Sequence, residues 1–184
     1  MLKDSLDYDN SIGCFLTETW LSQDILDAEV NLEGYNLFRG DRIGRTRGGA
    51  AIYLKERLNG RLSKAFSNGV VDCVVATSKV LDSVFVSLYR PPDTKLQEWK
   101  CALETLSSEL ELLQANGMYQ RILLGGDLNF RDLQWNSDGE MCISNDLGKQ
   151  QEELFLFCSR FLLSNLVDKP TRGSNLLDVI LSND

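Results

Sequence analysis

A mixed β-sheet protein covered by helices is the architecture that this sequence predicts. Short β-rich apolar runs recur along the chain and two amphipathic stretches break them up. One run leads directly into Gly125-Gly126-Asp127-Leu128-Asn129-Phe130. Strand-like runs separated by long helical patterns make layered sheet domains rather than bundles. At 184 residues, 43% apolar and 25% charged, the chain suits a single domain over 1–184 with a substantial core.

Taken in order, residues 2–10 read as the tail of a polar helix. Residues 12–16 form a strand-like run that ends at Thr17-Glu18-Thr19-Trp20. Glu18 thus stands at the carboxyl end of a strand, where α/β folds place ligand groups, although a solvated cap is the commoner role. Residues 24–29 read as a helical turn or loop, and 35–38 as a lead into Arg39, Arg42, Arg45 and Arg47, opposed only by Asp41. That arginine segment is either a local nucleic-acid contact or a solvated loop. Residues 48–54 read as a strand entered through Gly48-Gly49.

Residues 70–77 and 80–89 read as an antiparallel pair, the second ending in Tyr89-Arg90-Pro91-Pro92, where the prolines stop the ladder. Residues 93–116 are the clearest helix. Leu96, Trp99, Leu103, Leu106, Leu110 and Leu113 recur three and four apart, and Gly117 can cap the end. Such a stripe is a core face. In 121–130 the apolar run is a buried strand, and the glycines are expected to turn the backbone at its end. If the trace stays extended, Asp127 and Asn129 project together while Leu128 points inward. A carboxylate beside a carboxamide suits phosphate chemistry, the acid handling water and the amide donating to phosphate oxygen; a plain polar turn fits the same residues. A loop over 131–146, a helix over 147–161 and a short strand over 162–167 follow. Residues 168–175 form a turn-rich loop and 176–181 a last strand. Asp178, the one charge in that strand, is either functional or near an edge, because an unpaired buried charge is costly.

Composition excludes several chemistries. There is no histidine, so imidazole bases, Ser-His-Asp triads and His-containing zinc sites are absent. The five scattered cysteines include no Cys-x-x-Cys and read as reduced, buried thiols. Any metal is therefore expected to be a hard cation held by carboxylates. The net charge of −8 argues against gripping nucleic acid by bulk electrostatics, so contacts to it must be local. No apolar run approaches the roughly 20 residues that span a bilayer, and residues 1–10 resemble neither a signal nor a transit peptide. The expectation is an intracellular protein, nuclear or cytoplasmic, without a membrane partner.

The pieces together resemble the endonuclease/exonuclease/phosphatase superfamily, and within it the endonuclease domain of non-LTR (LINE-type) retrotransposons that also carry reverse transcriptase. Six motifs in order carry the resemblance: Leu16-Thr17-Glu18-Thr19-Trp20-Leu21, Gly48-Gly49-Ala50-Ala51-Ile52-Tyr53, Leu88-Tyr89-Arg90-Pro91-Pro92, Gly125-Gly126-Asp127-Leu128-Asn129, Pro170-Thr171-Arg172 and 175–181. The resemblance implies a four-layer α/β/β/α sandwich and hydrolysis of phosphodiester bonds, here in DNA, with Mg²⁺ or Mn²⁺. It implies Glu18 as the metal-binding glutamate, Asp127 as the aspartate that orients or activates water, and Asn129 and Tyr89 as phosphate-contacting groups. It makes Asp178 the aspartate that orients a catalytic histidine. Thr171 and Asn175 fall near the phosphate, while Arg90, Arg45 and Arg47 are expected to bind substrate.

Two departures from the family pattern matter. An asparagine-bearing first strand and a terminal Ser-Asp-His run are both missing, so the expectation is a domain incomplete at both ends, with impaired catalysis. An exposed strand edge would then favour self-association. Two other functions fit the same fold: a non-catalytic relic or nucleic-acid-binding module, and an inositol or lipid phosphoesterase.

Overall fold

The computed structural model describes residues 2, 5–6, 11–42, 44, 47–115, 117, 119–142 and 148–184. Strands β1 (Gly13–Thr17), β2 (Tyr35–Gly40) and β3 (Ala50–Lys55) form an antiparallel sheet in the order β1-β3-β2. Strands β4 (Arg61–Ser67), β5 (Asp72–Ser78), β6 (Ser83–Tyr89), β7 (Arg121–Asp127), β8 (Ser164–Asn165) and β9 (Asp178–Ser182) form a second sheet. Its order is β4-β5-β6-β7-β9-β8, with β6 and β7 its one parallel pair. Helix α1 (Leu96–Ala115) makes the crossover that this parallel pair requires, and α2 (Lys149–Phe161) precedes β8.

Strand alternation sorts the side chains into layers. Cys73, Val75, Val84, Val86, Leu88, Ile122 and Leu124 face Trp99, Leu106 and Leu110 of α1 and Leu154, Phe157 and Phe161 of α2. Val74, Ala76 and Phe85 turn the other way and meet Phe38, Ala50, Ile52 and Leu54 between the sheets. Tyr35 and Tyr53 pack with Leu6 on the outer face of the smaller sheet. The result is a mixed α/β fold of two facing sheets, an incomplete four-layer sandwich with α1 and α2 on the larger sheet.

Helix α1 follows its leucine stripe, and each buried leucine contributes roughly 2 kcal/mol. It starts later than the expected residue 93 because a turn comes first: Thr94 Oγ1 donates to the Pro91 carbonyl at 2.6 Å. Glu98 then accepts the Lys95 N–H at 2.7 Å, satisfying one orphan donor of the first turn. Asn116, at the expected end, lies outside the described residues, as does Leu147 at the expected start of α2. Leu2, Ser5 and Leu6 are helical, while the rest of the expected N-terminal helix is outside the described residues.

Four expectations need correction. Cys101 and Cys142, expected to be buried, are exposed, the first on the outer side of α1 and the second in the loop after β7. The strand expected over 162–167 shrinks to β8, because Leu162 adopts a left-handed φ of 56° that ends α2. Strand β4 is absent from the sequence reading: it is an edge strand with Arg61, Leu62 and Ser63 exposed and a bulge after Leu62, so it shows no clean alternation. Gly125 and Gly126 do not turn the chain. They lie inside β7, Gly125 paired with both β6 and β9 and Gly126 with β9, and a Cβ on Gly126 would stand 1.9 Å from the Leu88 carbonyl oxygen. A Cβ on Gly125 would stand 2.4 Å from the Phe15 ring of β1.

Candidate active site

The carboxyl ends of β1, β6 and β7 meet at one rim. Buried Ser87 of β6 donates to the Leu16 carbonyl at 2.9 Å, tying β6 to β1 across the sheets. The Arg90 N–H donates to the Asp127 carbonyl at 3.0 Å, aligning the ends of the parallel strands. A cleft of about 930 Å³ opens there, lined by Glu18, Trp20, Arg42, Arg47, Tyr89, Asp127, Asn129 and Arg172, among others.

Glu18 follows β1 with a left-handed φ of 54°. Burial alone would raise its pKa, but hydrogen bonds from the Tyr89 hydroxyl, the Trp20 indole and the Gly48 N–H, with the nearby Arg42 charge, bring it below the usual carboxylate value. Tyr89 is held the other way: burial first, then donation to the Glu18 carboxylate, push its phenol above the ordinary range. Asp127 is 6% exposed. Burial and the charge of Asp178, opposite it in the β7–β9 register, raise its pKa, while the Asn129 N–H at 3.1 Å and Arg172 work against that. Arg172 Nη2 lies 3.9 Å from Asp127 Oδ2. Asn129 reaches the cleft with a φ of 52°, so the trace past Asp127 is not extended; Leu128 is nonetheless buried. Asn129 Nδ2 donates to the Arg90 carbonyl at 3.0 Å.

Other residues singled out from the sequence lie elsewhere. Arg90 does not line the cleft: its guanidinium is 4.0 Å from the Phe130 ring centroid, bonds the Leu128 carbonyl at 2.9 Å and meets Gln150. Desolvation lowers its pKa to about 10, against the pull of Asp127 and Asp93. It braces α2 against the strand ends. Arg90→Ala should therefore cost about 3 kcal/mol in urea unfolding, since it strips the partners from buried acceptors. A cost under about 1 kcal/mol would contradict this bracing role.

Thr171 Oγ1 accepts the N–H groups of Leu177 and Asp178, each at 3.1 Å, and does not line the cleft. Asn175 bridges to Arg172 through backbone and lines a different hollow of about 890 Å³. Arg39 is spent on Asp41, Asp27 and the carbonyls of Ser22 and Ile25. Arg45 lies outside the described residues. Arg172 and the Arg42–Asp72 pair were not assigned from sequence. Asp72 had a signal, being an acid at the head of an apolar β-run, the same pattern that drew attention to Asp178.

Among the described residues no group of three or more His, Cys, Asp or Glu side chains could hold a metal. Glu18 is nevertheless an ionised, hard oxygen donor in the cleft, and Mg²⁺ is commonly bound by one or two carboxylates together with water and substrate phosphate. The donor set fits a cation shared with a phosphate and does not fit a closed protein cage.

A family model described as endonuclease-reverse transcriptase matches residues 83–184, more than half of the chain. The chain belongs to this family. The endonuclease domain of TRAS1, a telomere-specific non-LTR retrotransposon, is 17% identical with a TM-score of 0.58, over 98% of this chain and 76% of that one. The mannosyl-6-phosphatase Bt3783 of Bacteroides thetaiotaomicron is 13% identical with a TM-score of 0.62, over 98% and 74% of the two chains. The human Nocturnin catalytic domain with bound sulfate is 10% identical with a TM-score of 0.60, over 100% and 73%. At such identities the likeness establishes the endonuclease/exonuclease/phosphatase fold that this family member shares, and no single relative dominates. No curated protein sequence matches it. Among the described residues no helix is long and apolar enough to cross a membrane.

Proposed function

We propose that this cleft hydrolyses a phosphodiester bond of DNA with Mg²⁺ or Mn²⁺, in the manner of a retroelement endonuclease domain, and that turnover is slow. The observation that carries the reading is the convergence of Glu18, Tyr89, Asp127 and Asn129 with Arg42, Arg47 and Arg172 in one cleft of an otherwise acidic chain. Glu18 would hold the cation, which would neutralise charge developing on the phosphate. Tyr89 keeps Glu18 ionised and placed. Asp127, with its pKa raised, is suited to orient a water and take its proton. Asn129 spends one amide N–H on Arg90, and its side chain also bonds Asp127, so it would offer its amide to a phosphate oxygen beside that carboxylate. The arginines supply local positive charge for the backbone of a duplex.

Slow turnover follows from the proton inventory. The chain has no histidine, and the Tyr89 phenol is a reluctant acid. The proton for the departing oxygen must then come from water. The same observation favours a second reading, in which the cleft binds nucleic acid without cutting it. Nicking of supercoiled plasmid in Mg²⁺, beside an EDTA control and Asp127→Ala, separates the two. Nicking lost in both controls supports the hydrolase; no nicking by any sample, with DNA still retained, supports the binding module. Release of phosphate from a soluble inositol phosphate in place of nicking would move the substrate class to phosphate monoesters.

A further inference from the structure

We propose that Arg42, clamped by the buried Asp72, is a phosphate-binding arginine of this cleft, and that Asp72 is its positioning residue. The DNA-hydrolysis reading supplies the ligand; the clamp stands on geometry. Asp72 opens β5 and is 0% exposed. Its Oδ2 accepts from Arg42 Nε at 2.9 Å and from the Gly49 N–H at 2.8 Å, and Arg42 Nη2 lies 2.6 Å from it in an ion pair. Arg42 Nη2 also donates to the Val70 carbonyl. The guanidinium carbon lies 5.4 Å from the centroid of the Tyr89 ring. The Arg42 side chain is only 7% exposed, yet it lines the cleft with Tyr89 and Asp127.

The Gly48-Gly49 pair builds this arrangement. Gly48 has a φ of 96°, and a Cβ there would stand 2.3 Å from Arg42 Cζ. The two backbone N–H groups divide between two carboxylates: Gly48 donates to Glu18 at 3.2 Å and Gly49 to Asp72. One turn therefore places both the cleft glutamate and the arginine clamp.

Core packing does not account for the pair. Asp72 Oδ1 is buried without a partner among the described residues, and an apolar side chain would avoid that cost. What the carboxylate does supply is direction. It engages the Nε and Nη2 side of the guanidinium, leaving the Nη1 side for a ligand, and a planar fork held this way suits directional bonds to phosphate oxygen. Arg47, stacked 5.6 Å over the exposed Trp20 ring, and the exposed Arg172 supply charge without such fixed geometry.

The test uses the full chain labelled with ¹⁵N-arginine, together with duplex DNA affinity measured by anisotropy in EDTA so that nothing is cut. The Arg42 Nε–H signal, identified by its loss in Arg42→Gln, should exchange slowly with solvent in the wild type and quickly in Asp72→Asn. Arg42→Gln and Asp72→Asn should each weaken duplex binding roughly tenfold, and the double variant no further, because Asp72 acts only through Arg42. Arg47→Gln should add its own loss to either. If Asp72→Asn does not fold, Gly48→Ala displaces Arg42 with Asp72 intact and must weaken binding in the same way. A protected Arg42 signal in Asp72→Asn, or fully additive losses in the double variant, would overturn the positioning role. Unchanged affinity in Arg42→Gln would overturn the phosphate role. If the wild type binds no duplex, the DNA reading falls, and inorganic phosphate decides this one: movement of the Arg42 signal upholds the anion site, and no movement overturns it.

Discussion

Asp127→Asn should abolish plasmid nicking and at the same time raise the melting temperature at pH 7. The loss follows from the role of the carboxylate, since removing a general base typically costs two to four orders of magnitude in rate. The gain follows from its surroundings. Burial and the facing Asp178 raise the Asp127 pKa, so the folded state pays for ionising it. For an acid whose folded pKa is raised, that cost is absent below the unfolded value of about 3.9. It grows as pH climbs toward the folded pKa and is complete above it. The stabilisation by asparagine should therefore be seen at neutral pH and shrink as the protein is acidified. The amide can still accept the Asn129 N–H, so the loop stays in place. Nicking by the wild type should rise with pH through the Asp127 titration. Asp178→Asn, by removing the like charge, should shift that rise to lower pH. A melting temperature at pH 7 that falls in Asp127→Asn would mean that the carboxylate is well paired in the folded state, contrary to the electrostatics described.

Legibility in the sequence tracked how local the determinant was. The leucine stripe of α1 and the apolar runs of β5, β6 and β7 announce themselves because burial on one face writes a period into the residues. Strand β4 does not, because an edge strand with mostly exposed side chains carries no such period. Within the cleft, Glu18, Tyr89, Asp127 and Asn129 could be named from their places at strand ends. The destination of each arginine could not. Arg39 and Arg90 are consumed by internal partners, whereas Arg42 reaches the cleft only through Asp72, 30 residues away in sequence. Long-range pairing of this kind leaves no mark on neighbouring residues beyond a lone acid in an apolar run.

Gly126→Ala should be the most damaging single methyl group added to this chain. In the sequence the glycine pair looks like a turn, where alanine would cost little unless φ were positive. In the fold, Gly126 sits mid-sheet in β7, and the new Cβ would meet the Leu88 carbonyl oxygen at 1.9 Å and its carbon at 2.9 Å. Both atoms are backbone of the neighbouring strand β6, so no side-chain rotation relieves the clash; β6 and β7 must part at the point where they deliver Tyr89 and Asp127 to the cleft. Overpacking of a core costs roughly 1–3 kcal/mol and more when backbone must move, so a loss of about 3 kcal/mol or greater is expected in urea unfolding. Gly125→Ala provides the contrast. Its Cβ would meet the Phe15 side chain at 2.4 Å, and that obstacle can be cut back. Phe15→Ala, which removes the side-chain atoms at 2.4 and 2.6 Å, should restore part of the stability lost in Gly125→Ala and none of that lost in Gly126→Ala. Equal rescue of both would mean that the close approach of β1, and not the backbone of β6, dictates glycine at both positions.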